Sequence, residues 1–447
     1  MSQKPLGWLG IVRLGLVQAA LGSVVVLTTS TLNRVMAVEL ALPVALPAGL
    51  VAWHYAVQLS RPRWGHGSDM GRRRTPWIIG GMGVLAMGAL LAANATAIMA
   101  GSPVVGIGLA LVAYSMIGAG VGASGTSLLA LLATRVTPKR RPAAAAITWI
   151  MMVMGIAITA GVAGGLLEPF SMQRLALIAS GIAMIAFLVT LLAVWRVEGE
   201  AEAAVASTEP KPTFKEALSE TLADPRARMF GVFVFVSMIA YSAQDLILEP
   251  FAGLVFGMTP GQSTQMSGVQ HGGVLLGMIL VGAAGGMVAS KGAGWMRGWT
   301  ILGCVGSAIA LAMLAVAASV GPGWPITPTV FGLGFFNGVF AVAAIGSMMG
   351  LAGAGADGQE AGGREGIRMG VWGAAQAMAF ALGGFFGAVG VDIGRRVFAQ
   401  DATAFLTVFA IEAALFIAAA VIATRISGAE RSAPTFTTVA GTDHVQA

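Results

Sequence analysis

The sequence predicts an all-α integral membrane protein with twelve transmembrane helices in two sets of six. Three observations carry this. The 447-residue chain is 56% hydrophobic and 10% charged, with a mean hydropathy of +0.81, whereas soluble domains carry about 25% charged residues. Apolar runs of roughly 20 residues, enough to cross ~30 Å of hydrocarbon, recur along its length. One long polar stretch, residues 197–228, divides these runs into two groups.

The spans fall near 9–31, 43–60, 77–99, 103–133, 143–166 and 174–196, then 229–249, 266–290, 295–319, 326–352, 369–392 and 402–424. Residues 1–196 form the first six-helix bundle, 197–228 a linker, 229–425 the second bundle and 426–447 a polar tail. Within the linker, Phe214, Leu218 and Leu222 repeat every fourth residue, the spacing of a short amphipathic helix on the membrane surface. The first run, Trp8 to Thr31, is too long for the core of a signal peptide and lacks a clear small-residue cleavage site.

Basic residues orient the chain. Of the 26 Lys and Arg, only Arg34, Arg174, Arg395 and Arg396 follow odd-numbered spans, and Arg13 lies inside the first. All others fall in the N-terminus, the even-numbered connections and the tail, which predicts cytoplasmic termini. A pI near 10 would suggest nucleic acid for a soluble chain. Here the positive charge sits in short loops beside the bilayer, so lipid is the expected partner and nucleic acid is not.

The single cysteine, Cys304, rules out an intramolecular disulfide and a Cys-based metal site. No P-loop, G-x-S-x-G or His/Cys metal spacing is present, so no enzyme and no free metal ion is expected. The Gly-rich stretch 350–366 follows no strand and reads as a loop rather than a phosphate cradle. Gly161/Gly165 and Gly383/Gly387 are GxxxG pairs that would let helices pack closely, although a chain with 63 glycines also produces such pairs by chance.

Two regions concentrate polar residues. The first is GHGSDMGRRR (65–74), with Gly65, Asp69, Arg72 and Arg73. It reads either as a gate in which Asp69 and an arginine cap a neighbouring helix end through its dipole, or as a basic turn that only fixes orientation. The second runs from Tyr241 to Gly277 and places Gln244, Asp245, Glu249 and His271 in otherwise apolar spans. Ionisable groups in hydrocarbon seldom lack a partner or a task.

A seventh span ending at 249 puts Asp245 and Glu249 in its outermost turns, four residues apart on one face. An eighth span starting near 266 puts His271 about five residues in, ~7 Å deep. Arg34 and Glu39 close the first span on the same outer side, which predicts an ion pair from Arg34 to Asp245 or Glu249 that relieves the cost of burying them.

Elsewhere Arg13, Asn94, Asn337, Gln376 and Glu412 are scattered. Arg13, near an inner end, is placed to snorkel, while mid-span Glu412 must face protein or water or carry a proton. A strong cluster at the rim over a thinly furnished centre points to an apolar client rather than a polar solute. The 24 methionines suit adaptable apolar surfaces.

The six-linker-six layout is that of the major facilitator superfamily, and GHGSDMGRRR resembles its G-x-x-x-D-x-x-G-R-R/K loop with one residue fewer between Asp69 and Gly71. More specifically, LNRVMAVEL (32–40), the HY tract with GHGSD (54–69), QDLILEPFAG (244–253) and ST-x-x-SG-x-QHGG (263–273) together resemble the PucC/LhaA family over about 9–424.

That resemblance implies an assembly factor for photosynthetic light-harvesting complexes in the bacterial inner, intracytoplasmic membrane. It would handle bacteriochlorophyll as cargo, nascent antenna polypeptides, or both, with the pigment's synthesis enzymes as further partners. It also makes His271 a candidate axial ligand to the pigment's magnesium, with Ser267, Gly272 and Gly273 forming a flat surface for the ring. His54, beside Trp53 and Tyr55, is a second candidate. A His271 hydrogen-bonded to Asp245 or Gln244 with no ligand is the plain alternative. Two rival functions stay open: a transporter of a small apolar or amphipathic molecule by alternating access, and a structural antenna partner that binds no pigment.

Overall fold

The computed structural model describes residues 6–61, 64, 73–137, 140–198, 225–287, 293–353, 365–398 and 400–426. Gly65, Asp69 and Arg72 of the basic loop, nearly all of the linker and of the tail, and residues 354–364 of the Gly-rich stretch lie outside them.

Among the described residues the chain forms twelve bundle helices and no strand. They are α1 (Trp8–Glu39), α2 (Ala45–Gln58), α3 (Thr75–Met99), α4 (Pro103–Arg135), α5 (Arg141–Leu166), α6 (Met172–Val194), α7 (Pro225–Phe256), α8 (Pro260–Met287), α9 (Ala293–Val320), α10 (Ile326–Gly353), α11 (Glu365–Val397) and α12 (Asp401–Ile426). Eleven are long and apolar enough to cross a membrane. The exception is α2, whose 14 residues fall short of a full crossing.

The packing has an internal two-fold pattern. In the first half α1 packs on α5 and α6, α3 on α4 and α6, and α2 on α4. Adding six to each number gives α7 on α11 and α12, α9 on α10 and α12, and α8 on α10, all of which are observed. The halves meet along α5–α8 and α2–α11, two contacts that exchange under the same operation.

Glycine sets much of this packing, because close helix approach in a membrane needs small residues. A Cβ at Gly383 would meet the Ile239 carbonyl at 2.6 Å and one at Gly387 would meet Ala243 at 3.1 Å, so this expected pair does seat α11 on α7. On α5 the contact is made by Gly161 and Gly164 instead. A Cβ at Gly268 would lie 2.8 Å from the Gly161 nitrogen, and one at Gly164 would lie 2.6 Å from the Gly261 carbonyl.

Three helix limits differ most from the expected spans. α1 runs to Glu39 rather than 31, through two π-helical stretches, Leu27–Thr31 and Val35–Glu39. The hydroxyls of Thr28 and Thr29 both donate to the Val25 carbonyl, at 2.8 and 3.0 Å. They compete with the backbone ladder there, a known route to helix irregularity.

α7 runs to Phe256 rather than 249, with Pro250 inside it, and α8 begins at Pro260 rather than 266. Asp245 and His271 are therefore each eleven residues from their helix ends. At 1.5 Å per residue that is about 16 Å, near the middle of the bilayer. Asp245 and His271 lie near the centre and not at the rim, whereas Arg34 and Glu39 stay at the end of α1.

Candidate functional site

The site lies where α1, α7 and α8 meet and among the half-buried side chains beneath. Pro250 has no N–H to give Leu246, its i−4 carbonyl. Asn33 of α1 supplies the missing donor, Nδ2 to the Leu246 oxygen at 2.6 Å. This lets α7 continue, and it ties the two halves together.

One turn along, Glu249 is buried among hydroxyls. It accepts from Ser30 of α1 and from Ser263 and Thr264 of α8, the latter two at 3.2 and 3.4 Å. Ser30 also reaches Ser267 at 3.2 Å, and Thr31 reaches Thr264 at 3.2 Å. A buried carboxylate needs such donors.

The expected pairing of Arg34 with Asp245 or Glu249 is not what forms. Arg34, 2% exposed, donates Nη1 to Glu39 at 2.8 Å and Nη2 to the Met258 carbonyl at 2.6 Å. The reason is the π-helical turn between them. Residues five apart come together when the ladder is i→i+5, and Glu39 is five residues after Arg34. Glu249 stays within electrostatic range of Arg34 without touching it.

Two further carboxylates at this end of the bundle carry no motif in the sequence. Asp392 of α11 accepts from the Val44 and Ala45 N–H groups at 3.0 and 2.8 Å, capping the start of α2. Glu168, just after α5, accepts from the Thr259 hydroxyl at the start of α8, where Gly261 leaves room for its carboxylate. Each joins one half to the other, and the pseudo-two-fold exchanges them. Free N–H groups and the helix dipole favour an anion at both places. At the opposite end Glu198 performs a similar cap inside the first half. Its carboxylate accepts from the Arg74 and Thr75 N–H groups at 2.6 and 2.9 Å, next to exposed Arg73 of the basic loop. Arg13 donates to the carbonyls of Leu192 and Trp195 at the end of α6.

Beneath the polar seam, Asp245, Tyr55, Tyr241, His271 and Phe380 are half-buried. Asp245 accepts from Gln270 Nε2 at 3.4 Å. The rings form a chain across the two halves, with Tyr55 5.6 Å and Tyr241 5.8 Å from Phe380.

The two candidate histidines differ sharply. His271 does not bond Asp245 or Gln244. Its Nδ1 is 2.8 Å from the Ser267 carbonyl. A carbonyl only accepts, so Nδ1 carries the hydrogen and the lone pair is on Nε2. Among the described residues none bonds that Nε2. His54 is 1% exposed, and its Nε2 is 2.8 Å from the Gln58 amide nitrogen. Gln58 is held in that orientation by Arg61, which donates to its Oε1. The lone pair of His54 is therefore already engaged inside the protein.

The expected glycine platform is also divided. A Cβ at Gly273 would strike the Phe331 carbonyl, so Gly273 packs against α10, as does Gly277. Ser267 is buried against Ser30. Gly272 alone opens onto free space. Gln244 is fully buried rather than cavity-lining.

Comparison with known proteins agrees with this architecture. The structure is similar to the nucleoside transporter NupG, with a TM-score of 0.66 at 14% identity over 93% of this chain and 99% of that one. It is similar to the peptide transporter POT, with a TM-score of 0.69 at 13% identity over 95% and 97%. The fold is thus that of the major facilitator transporters. In sequence, the chain is 52% identical to the "Bacteriochlorophyll synthase 44.5 kDa chain" of Rhodobacter capsulatus, covering 98% of this chain and 99% of that one. It is 29% identical to "Protein PucC" of the same organism, over 92% and 90%. The profile described as "PUCC protein" matches residues 31–431. With that match running over most of its length, the chain belongs to the PucC protein family.

Proposed function

We propose that the protein is an assembly factor for a photosynthetic light-harvesting complex, and that it holds bacteriochlorophyll as cargo in the mid-membrane cavity before antenna polypeptides take it. His271 is the axial ligand in this reading. The observation that carries it is the Nδ1–Ser267 hydrogen bond, which fixes the tautomer and leaves Nε2 free. Orientation of a ligating imidazole through its other nitrogen is the usual arrangement at metal centres. Gly272 gives the ring an unobstructed approach, and the Tyr55–Phe380–Tyr241 chain offers aromatic faces. The bacteriochlorophyll in a relative's name supports this choice of cargo.

The bias of basic residues between the spans supports an outward Arg34 end and cytoplasmic termini. The membrane is the bacterial inner, intracytoplasmic one. The synthase name borne by the relative suggests that the pigment-making enzymes are neighbours from which cargo arrives. Catalysis by this chain is not part of the proposal.

The test is the absorption spectrum of gently purified protein from a pigment-making host that lacks antenna polypeptides. A near-infrared band that is lost or shifted in His271→Ala and kept in His54→Ala is the expected result. A colourless wild type sinks stable carriage. The central position of Asp245 and His271 would then favour a second reading, a transporter working by alternating access. That reading requires a label at Gly272→Cys to become reachable from each side in turn.

A further inference from the structure

The proposed function leaves one buried acid unused. Glu412 of α12 is 2% exposed, and neither of its carboxyl oxygens has a hydrogen-bond partner. Gln244 of α7 is 0% exposed, and its amide oxygen and nitrogen are both unpartnered as well. Four orphaned polar atoms in a membrane interior are costly unless they meet.

Helix register brings them together. α7 and α12 run antiparallel, and Phe251 of α7 packs on Phe405 and Phe409 of α12 at 5.2 and 5.0 Å. About two turns back from Phe251 on the same face is Gln244, and about two turns on from Phe405 is Glu412. The two side chains therefore oppose one another across the α7–α12 contact.

Asp245, the next residue on α7, lies within electrostatic range of Glu412 and of the phenols of Tyr55 and Tyr241. No cation among the described residues bonds either carboxylate; Arg61, within electrostatic range of Tyr55, is engaged by Gln58. Among the described side chains, α8 offers Gln270 and His271, while α11 offers Gln376, which reaches the Met238 sulfur. α9 offers Cys304 and also Arg297, which bonds the Thr424 carbonyl about three turns from Glu412. Arg34 is engaged by Glu39 and Met258. Two such acids in an apolar interior do not both ionise. Asp245 is partly exposed and has an amide donor in Gln270. Glu412 has neither, so the charge belongs on Asp245.

We propose that Glu412 is a proton-binding site within the membrane, its acid group paired with the Gln244 amide. The structure shows neither group with a partner, so the pairing requires the two side chains to turn towards each other. The acid hydroxyl then donates to Gln244 Oε1, the acid carbonyl accepts from Gln244 Nε2, and all four orphaned atoms are satisfied. The site stores one proton directly behind the carboxylate that faces the cavity.

Infrared spectroscopy of the full-length protein at neutral pH tests this through the carbonyl stretch of a protonated carboxyl group, identified by its shift in D2O. The difference spectrum between wild type and Glu412→Gln should show that band, and Asp245→Asn should retain it. Glu412→Asp should shift the band, and Gln244→Leu should raise its frequency by removing the amide partner. Thermal unfolding of Glu412→Gln should match wild type, since an amide pair fits the same space. Absence of the band from the difference spectrum would overturn the proposal. So would its loss in Asp245→Asn, which would put the proton on Asp245. A band unmoved by Gln244→Leu would overturn the pairing.

Discussion

Asn33 completes the hydrogen bonding of a helix in the opposite half, because its amide occupies the Leu246 carbonyl that Pro250 leaves without an N–H. This gives a specific expectation. Asn33→Ala should destabilise the protein by about 1–3 kcal/mol, the cost of an unsatisfied buried acceptor. Replacing Pro250 with alanine in the same chain should restore about 1 kcal/mol, since the helix then makes the bond itself. Thermal unfolding in detergent of the single and double variants measures this. Equal stability of Asn33→Ala with and without the proline would contradict it.

The two carboxylate seats should act as a pair. Asp392→Asn and Glu168→Gln each weaken one contact between the halves at the Arg34 end. In a Cys304→Ala background, labelling of Gly272→Cys by a membrane-impermeant thiol reagent from that side should be faster in either variant and fastest in both together. Unchanged labelling in the double variant would show that the seats do not hold this end shut.

Arg34 is buried and depends on a single carboxylate partner. Glu39→Gln removes the direct partner and leaves only the more distant Glu249; with the Glu39 side chain itself 34% exposed, it should cost about 1–3 kcal/mol. Glu249→Gln should cost less, since three hydroxyls surround that group and none is charged. The two midpoints of thermal unfolding, compared at one pH, decide the order.

Neighbouring glycines should respond in opposite ways. Gly273→Ala pushes a methyl into the backbone of α10 and should lose about 1–3 kcal/mol. Gly272→Ala meets no atom within 4 Å and should be neutral for stability. If pigment lies over Gly272, the same change should still shift the absorption band. Stability and spectra of both variants separate packing from cargo contact.

The sequence reveals the bundle clearly because apolar length and the bias of basic loops are properties of composition along the chain, independent of tertiary detail. It also points to Arg34, Asp245, Glu249 and His271, since charge inside an apolar run stands out on its own. Their depth and partners are another matter. Pro250 reads locally as a helix end, and only Asn33, 213 residues from Leu246, makes the continuation possible. The i→i+5 stacking of Arg34 on Glu39 depends on the π-helical stretch Val35–Glu39, which no hydropathy pattern reveals. Asp392 and Glu168 sit at span ends where an acid is unremarkable. Their meaning appears only when the helix starts they cap come from the other half.

At the Arg34 end the contact between α5 and α8 has few side chains apart from Gln265, while deeper along it Val153 packs with Val274 and Met278. Gly161 and Gly164 meet Gly261 and Gly268 backbone to backbone. Helices normally lock by setting the side-chain ridges of one into the grooves of the other, and sliding then means lifting each ridge out. The two glycine tracks at that end have few ridges to lift, so its grip comes from elsewhere. The hydroxyl-ringed Glu249 and the capped starts of α2 and α8 supply it beside the tracks, and the apolar cluster around Val153 supplies it deeper in the seam.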